Sequence, residues 1–120
     1  MTWGDYDNDG DLDIYVANDS TENFFYQNNG DGTFKEIGFM IGLAVSEDGN
    51  VKNGMGTAFG DLDNDGWLDL IVTNYADQTN ALYRNDGDGF FTDITRMSRT
   101  GEISFSYLGW ATFFFDYDND

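Results

Sequence analysis

The sequence predicts an all-β fold of about two four-stranded antiparallel blades, on three observations. An acidic stretch recurs: Asp5-Tyr6-Asp7-Asn8-Asp9-Gly10-Asp11-Leu12-Asp13, then Asp61-Leu62-Asp63-Asn64-Asp65-Gly66-Trp67-Leu68-Asp69, then Asp116-Tyr117-Asp118-Asn119-Asp120, with first residues 56 and then 55 positions apart. A short β-rich run follows each full copy, Ile14 to Ala17 and Leu70 to Thr73. Glycine turns then separate further apolar segments, at Asn29-Gly30-Asp31-Gly32 and Asp86-Gly87-Asp88-Gly89. Self-similarity at a fixed period of this length marks a repeated supersecondary unit rather than an isolated loop.

Each element of the unit has a local reason. Strand A, about residues 55–60, is the apolar run Met55-Gly56-Thr57-Ala58-Phe59-Gly60 before the second acidic loop. Strand B, 68–74, is apolar on consecutive positions, which suits a strand covered on both faces. Strand C, 80–84, and strand D, 90–95, flank the Asp-Gly-Asp-Gly turn, a hairpin signal because glycine takes positive φ without steric cost. Asn23 to Phe34 and Asn80 to Phe91 align with an offset of 57, so one inserted residue marks a loop between strands B and C. Four antiparallel strands per roughly 55 residues match one blade of a β-propeller. No stretch carries a 3.6-residue apolar period, and proline is absent.

The frame is offset, with repeats over 1–53 (lacking most of strand A), 54–108, and the start of a third over 109–120. Propellers close from several blades, because an open stack exposes strand edges and apolar faces. The expected setting is a longer chain that completes the propeller, with ring assembly of short chains as the rival.

Composition narrows the function. The net charge is −18, and twelve of the 23 acidic residues lie in the three quoted stretches. Bound divalent cations would cancel much of that self-repulsion locally. Disorder is argued against by eleven Phe, seven Tyr and three Trp, whose area demands burial. Five Lys plus Arg cannot neutralise a phosphate backbone, so nucleic acid is excluded as a partner. With neither Cys nor His, disulfides, thiolate chemistry and imidazole acid–base catalysis are excluded. No apolar run approaches the roughly 20 residues of a membrane-spanning helix, and Met1-Thr2-Trp3 opens no visible signal peptide.

The pattern D-x-D-x-D-G-x-x-D gathers carboxylates around a tight glycine turn, which is how a short loop wraps a hard, oxygen-seeking cation. Side-chain ligands are expected from Asp5, Asp7, Asp9 and Asp13, with the carbonyl of Asp11. The matching set is Asp61, Asp63, Asp65 and Asp69, with the carbonyl of Trp67. Such a shell, completed by water, suits Ca²⁺ better than Mg²⁺, which wants a tighter octahedron. The alternative is an empty loop, since Asp and Asn also favour turns for local reasons. Asp116, Asp118 and Asp120 lack the glycine and closing Asp, and whether they bind metal stays open. An EF-hand needs Glu at position 12, where Val16 and Val72 stand in β-rich runs.

Trp67, Trp110 and Phe113 to Phe115 are read as blade-to-blade packing, and Asn18 and Asn74 as caps on strand B. Gly56 to Asp69, followed by Leu70 to Asn74, resembles the FG-GAP/VCBS repeat, which forms the Ca²⁺-binding blades of integrin α-subunit-like propellers. Leu82 to Thr95 is similar to a segment of the ASPIC/UnbV-associated branch. In the first and third copies Trp3 and Phe114-Phe115 stand at the Phe-Gly pair, and no Gly-Ala-Pro segment occurs. The resemblance implies a non-catalytic, Ca²⁺-binding segment for recognition, scaffolding or adhesion, extracellular or periplasmic, with an unidentified protein or glycan partner. The rival is a propeller enzyme using paired carboxylates on glycans.

Overall fold

A computed structural model describes residues 1–116; Asp118 and Asp120 of the third acidic stretch lie outside the described residues. The fold is all-β, as the repeat predicts, with two four-stranded antiparallel sheets. The first contains β1 (Thr2–Gly4), β2 (Asp13–Val16), β3 (Phe24–Asn28) and β4 (Phe34–Glu36). The second contains β5 (Gly54–Gly60), β6 (Asp69–Asn74), β7 (Ala81–Asn85) and β8 (Phe91–Asp93). Each sheet runs in chain order, with Trp3 opposite Ile14 and Tyr15 opposite Phe25 in one, and Phe59 opposite Leu70 and Ile71 opposite Leu82 in the other. Such meanders are the blades of a propeller.

The core lies between the sheets. Tyr15 and Phe25 from the first meet Leu70, Val72, Tyr83 and Phe91 from the second, with Tyr6 and the Ile37–Leu43 connection filling between. Tyr6 stands edge-on to Phe25 at 4.8 Å, and Phe25 edge-on to Phe59 at 6.5 Å. Each such side chain contributes roughly 2 kcal/mol on burial, and neither blade would bury it alone. The Ile41 carbonyl also accepts the Phe91 amide at 3.0 Å, so the first blade's exit loop is sewn to the second blade's outer strand.

Glycine makes the close approach possible. A Cβ at Gly4 would stand 2.7 Å from the Phe59 ring, and one at Gly60 would collide with the Phe114 ring. Phe114 therefore covers the second blade as Phe59 covers the first. No strand forms among residues 109–116, because a strand needs a ladder partner and the described residues supply none there. Instead Gly109 accepts the Thr73 hydroxyl at 2.7 Å. Of the aromatics read as packing, Phe114 packs in this way, whereas Trp110, Phe113 and Phe115 are exposed.

Two elements differ from the sequence reading. Strand D is short, Phe91–Asp93 rather than 90–95, because the Thr95 hydroxyl takes the Leu82 amide (3.0 Å) in place of a ladder carbonyl. In the first blade the Glu36 carboxylate takes the Phe25 amide the same way (3.2 Å). A one-turn helix, α1 (Thr100–Ser104), interrupts the second connection, and its Ser104 hydroxyl accepts the Asn80 amide at 3.0 Å. A single turn is too short to leave an apolar period.

Candidate metal centre

Both acidic loops join strand A to strand B at one end of their blade, and local hydrogen bonds explain their shape. Asp5 accepts the amides of Asp9 and Gly10, both at 3.0 Å, and Asp61 accepts those of Asp65 (3.1 Å) and Gly66 (3.0 Å). Asp9 and Asp65 each accept the amide two residues on, at 2.9 Å. Asn8 and Asn64 sit at φ 58° and 60°, and Gly10 and Gly66 at 93° and 89°. These are left-handed conformations that Asn tolerates and Gly adopts freely, so the Asn-Asp-Gly core of the motif is a backbone requirement.

The closing residue of each loop is buried. Asp13 is 1 % exposed, and its two oxygens accept the Tyr6 amide (3.1 Å) and the Asn28 amide (2.9 Å). Asp69, also 1 % exposed, accepts the amides of Leu62 (3.0 Å) and Asn85 (2.9 Å). Burial pushes the Asp13 carboxyl up to about 6, against the pull of the Asn28 and Tyr6 amides and with help from Asp7 and Asp9. Asp69 is raised for the same leading reason, with Asp63 and Asp65 adding. Each oxygen accepts one N–H and keeps a second lone pair free.

Oxygens of Asp5, Asp7 and Asp13 lie within 4.8 Å of one another, as do those of Asp61, Asp63 and Asp65. Asp9 and Asp11 stand outside the first trio and Asp69 outside the second, so the two loops are not identical. One atom tests whether a cation fits. Asp7 Oδ1 is buried and has no hydrogen-bond partner among the described residues, while its Oδ2 accepts the Gln27 amide at 2.9 Å. A buried carboxylate oxygen left unpaired is costly, and a cation held with Asp5 and Asp13 would satisfy it.

Sequence reasoning gave no role to Asn28 and Asn85, which lie 57 residues apart at the ends of β3 and β7. Their backbone amides hold the closing aspartates. Their side chains act as well: Asn28 donates to the Leu12 carbonyl (3.2 Å), and Asn85 to the Tyr6 carbonyl of the neighbouring blade (2.8 Å). A further cross-blade bond runs from Asn8 to the Gly66 carbonyl at 3.2 Å. Asn18 and Asn74 close the B–C connections, donating to Glu22 and Thr79 carbonyls, both at 2.7 Å.

Paired antiparallel meanders, each with an Asp-rich turn between its first two strands, define a propeller-type repeat domain. The sequence matches the family model of the FG-GAP-like repeat over residues 5–72 and again over 61–120; the chain belongs to that family. Among curated proteins it is similar to cartilage acidic protein 1 of Xenopus tropicalis, 36 % identical over 63 residues. The human protein of the same name is 33 % identical over 63 residues. Each match covers 52 % of this chain and 9 % of the relative.

Proposed function

We propose that this chain is a non-catalytic, Ca²⁺-stabilised pair of propeller blades serving recognition or scaffolding in an extracytoplasmic protein. The observation that carries the reading is the buried Asp7 Oδ1, unpartnered among the described residues, beside Asp5 and Asp13. The ligand sets are Asp5, Asp7, Asp9 and Asp13 with the Asp11 carbonyl, and Asp61, Asp63, Asp65 and Asp69 with the Trp67 carbonyl. The repeats are 1–53, 54–108 and the start of a third over 109–120, within a longer chain of the ASPIC/UnbV-associated branch. The ion supplies positive charge and nothing more. The loop aspartates supply the oxygens, and burial of Asp13 and Asp69 ties occupancy to the seating of strands B and C.

Millimolar Ca²⁺ outside cells suits oxygen-rich loops of modest affinity, which supports an extracellular or periplasmic setting. Recognition of a protein or glycan is assigned to the blade end away from the acidic loops. There a cleft of ≈ 680 Å³ is lined by residues that include Lys52, Gln78, Arg96, Glu102 and Phe105. Connections of this type carry specific binding on rigid scaffolds.

The enzyme reading draws on Asp13, since a carboxyl near 6 resembles a general acid. Asp13 is however 1 % exposed with both oxygens on backbone amides, which leaves a substrate no approach. Turnover of a polysaccharide panel that Asp13→Asn abolishes would restore that reading. Thermal melting with Ca²⁺ and with chelator tests the proposal. Identical melting, with Asp7→Asn and Asp63→Ala equally silent, would refute it.

A further inference from the structure

Strands β3 and β7 meet their loops through the same bond, Asn28 to Asp13 and Asn85 to Asp69, each at 2.9 Å. The residue before each asparagine therefore stands at the same place beside its loop. In the first blade it is Gln27, whose amide donates to Asp7 Oδ2 at 2.9 Å. That neutral bond holds Asp7 with its other oxygen free. In the second blade the residue is Arg84. It leaves Asp63 untethered and forks instead onto Asp86 Oδ1, at 2.9 Å from Nε and 2.7 Å from Nη2, while Thr92 braces the other Asp86 oxygen.

We propose that this position ranks the two cation sites: Gln27 makes the loop at 5–13 the tighter one, and Arg84 holds the loop at 61–69 weaker, so the blades load in sequence as Ca²⁺ rises. The inference rests on the metal reading above. The Arg84 guanidinium is offset in part by its pair with Asp86 at 2.7 Å, and the charge left over repels an incoming divalent ion and weakens the pull of the carboxylates. Asp63 and Asp69 do act on Arg84, since both favour its charged form after the larger effect of Asp86. Solvation points the same way. At equivalent positions Asp61 and Asp63 are exposed where Asp5 and Asp7 are half-buried, while the closing Asp13 and Asp69 are equally buried, so water screens attraction more at the mouth of the second loop. The other cation near the first loop is Lys35, cross-strand from Gln27; it is exposed and makes no hydrogen bond or ion pair among the described residues.

Single-loop variants of the chain isolate each site. Calorimetric Ca²⁺ titration of Asp63→Asn, which leaves the first loop, should give a dissociation constant about tenfold below that of Asp7→Asn, which leaves the second. Adding Arg84→Gln to Asp7→Asn should tighten the second loop about three- to tenfold, an effect that shrinks with added salt. Adding Gln27→Arg to Asp63→Asn should weaken the first loop by a similar factor. Arg84→Lys keeps the charge and should stay weak. Tightening by Lys as large as by Gln would show that lost packing is responsible, and would overturn the proposal. Equal affinities in the two single-loop variants would overturn the ranking alone. Absence of binding heat in both would overturn the metal reading and the ranking with it.

Discussion

Asn28 and Asn85 occupy the same place in the two repeats, and the structure predicts that they are not worth the same. Asn85 is 1 % exposed. Its amide donates to the Tyr6 carbonyl of the neighbouring blade at 2.8 Å and to Leu68 at 3.4 Å, and its oxygen accepts the Gly87 amide at 3.0 Å. Replacement by Ala strips a buried carbonyl of its donor and a glycine turn of its acceptor. An orphaned buried group costs about 1–3 kcal/mol and an ordinary lost bond about 1 kcal/mol, so Asn85→Ala should cost about 3 kcal/mol. Asn28 donates to Leu12 in an exposed bond at 3.2 Å and accepts the Gly30 amide at 3.0 Å. Water replaces both, so Asn28→Ala should cost about 1 kcal/mol. Unfolding entropy scales as about 2 cal/mol/K per residue. Over 120 residues the difference corresponds to a melting temperature lower by about 8 °C for Asn85→Ala than for Asn28→Ala. Urea unfolding at one fixed Ca²⁺ concentration, with unchanged slope, gives the two numbers. Equal losses would refute the claim that Asn85 is a clamp between blades rather than a turn residue.

Other outcomes follow from the same structure. With Ca²⁺ one hundredfold above its dissociation constant, each occupied loop should add about 2.7 kcal/mol, read as a melting shift that Asp7→Asn removes for the first loop. In chelator the pH dependence has a definite sign. Asp13 sits near 6 when folded, above its usual value near 3.8, so the folded state holds its proton more tightly than the unfolded chain. The resulting stability is fully present below about pH 4 and is lost as pH rises through about 6. The ceiling is about 3 kcal/mol, nearer half that after screening by water at the loop mouth; melts across pH 4–7 check it, and Ca²⁺ should flatten the slope. Gly4→Ala should cost about 1–3 kcal/mol by overpacking, since its Cβ meets the Phe59 ring at 2.7 Å and Leu68 at 3.0 Å. Calorimetric melting would contradict this if Gly4→Ala matched Gly10→Ala, whose cost comes only from φ 93°.

The acidic loops were legible because their residues act locally: Asn8, Gly10, Asn64 and Gly66 sit where the backbone turns left-handed, and Asp5 and Asp61 cap the amides four and five residues on. Strand B was legible for a different reason, since Ile14 to Val16 and Leu70 to Thr73 match a pleated, doubly covered surface. The bonds that join blades were not. Asn85 reaches Tyr6 across 79 residues, and nothing near either residue announces the pairing. Strand D was read too long because Thr95 and Glu36 substitute side-chain oxygens for ladder carbonyls, a choice invisible to apolar patterning. The sequence also made the two loops look equivalent. A difference outside the motif separates them: Gln27 bonds Asp7, whereas Arg84 at the equivalent position pairs with Asp86.

The Asn8–Gly66 bond has a mechanical consequence. It ties one Asp-rich turn to the next, and Asn64 holds nearly the same backbone angle one repeat later. A row of such turns would run as a hoop along one end of the stacked blades. Separating the two blades would then require breaking this bond between their most charged turns. The opposite end is tied by other bonds: the Asn18 carbonyl accepts the Gly54 amide at 2.9 Å, and the Ser20 hydroxyl donates to Asn53 Oδ1 at 3.0 Å. The two blades are thus laced at both ends, through a carbonyl of the acidic turn at one and a strand-end carbonyl at the other.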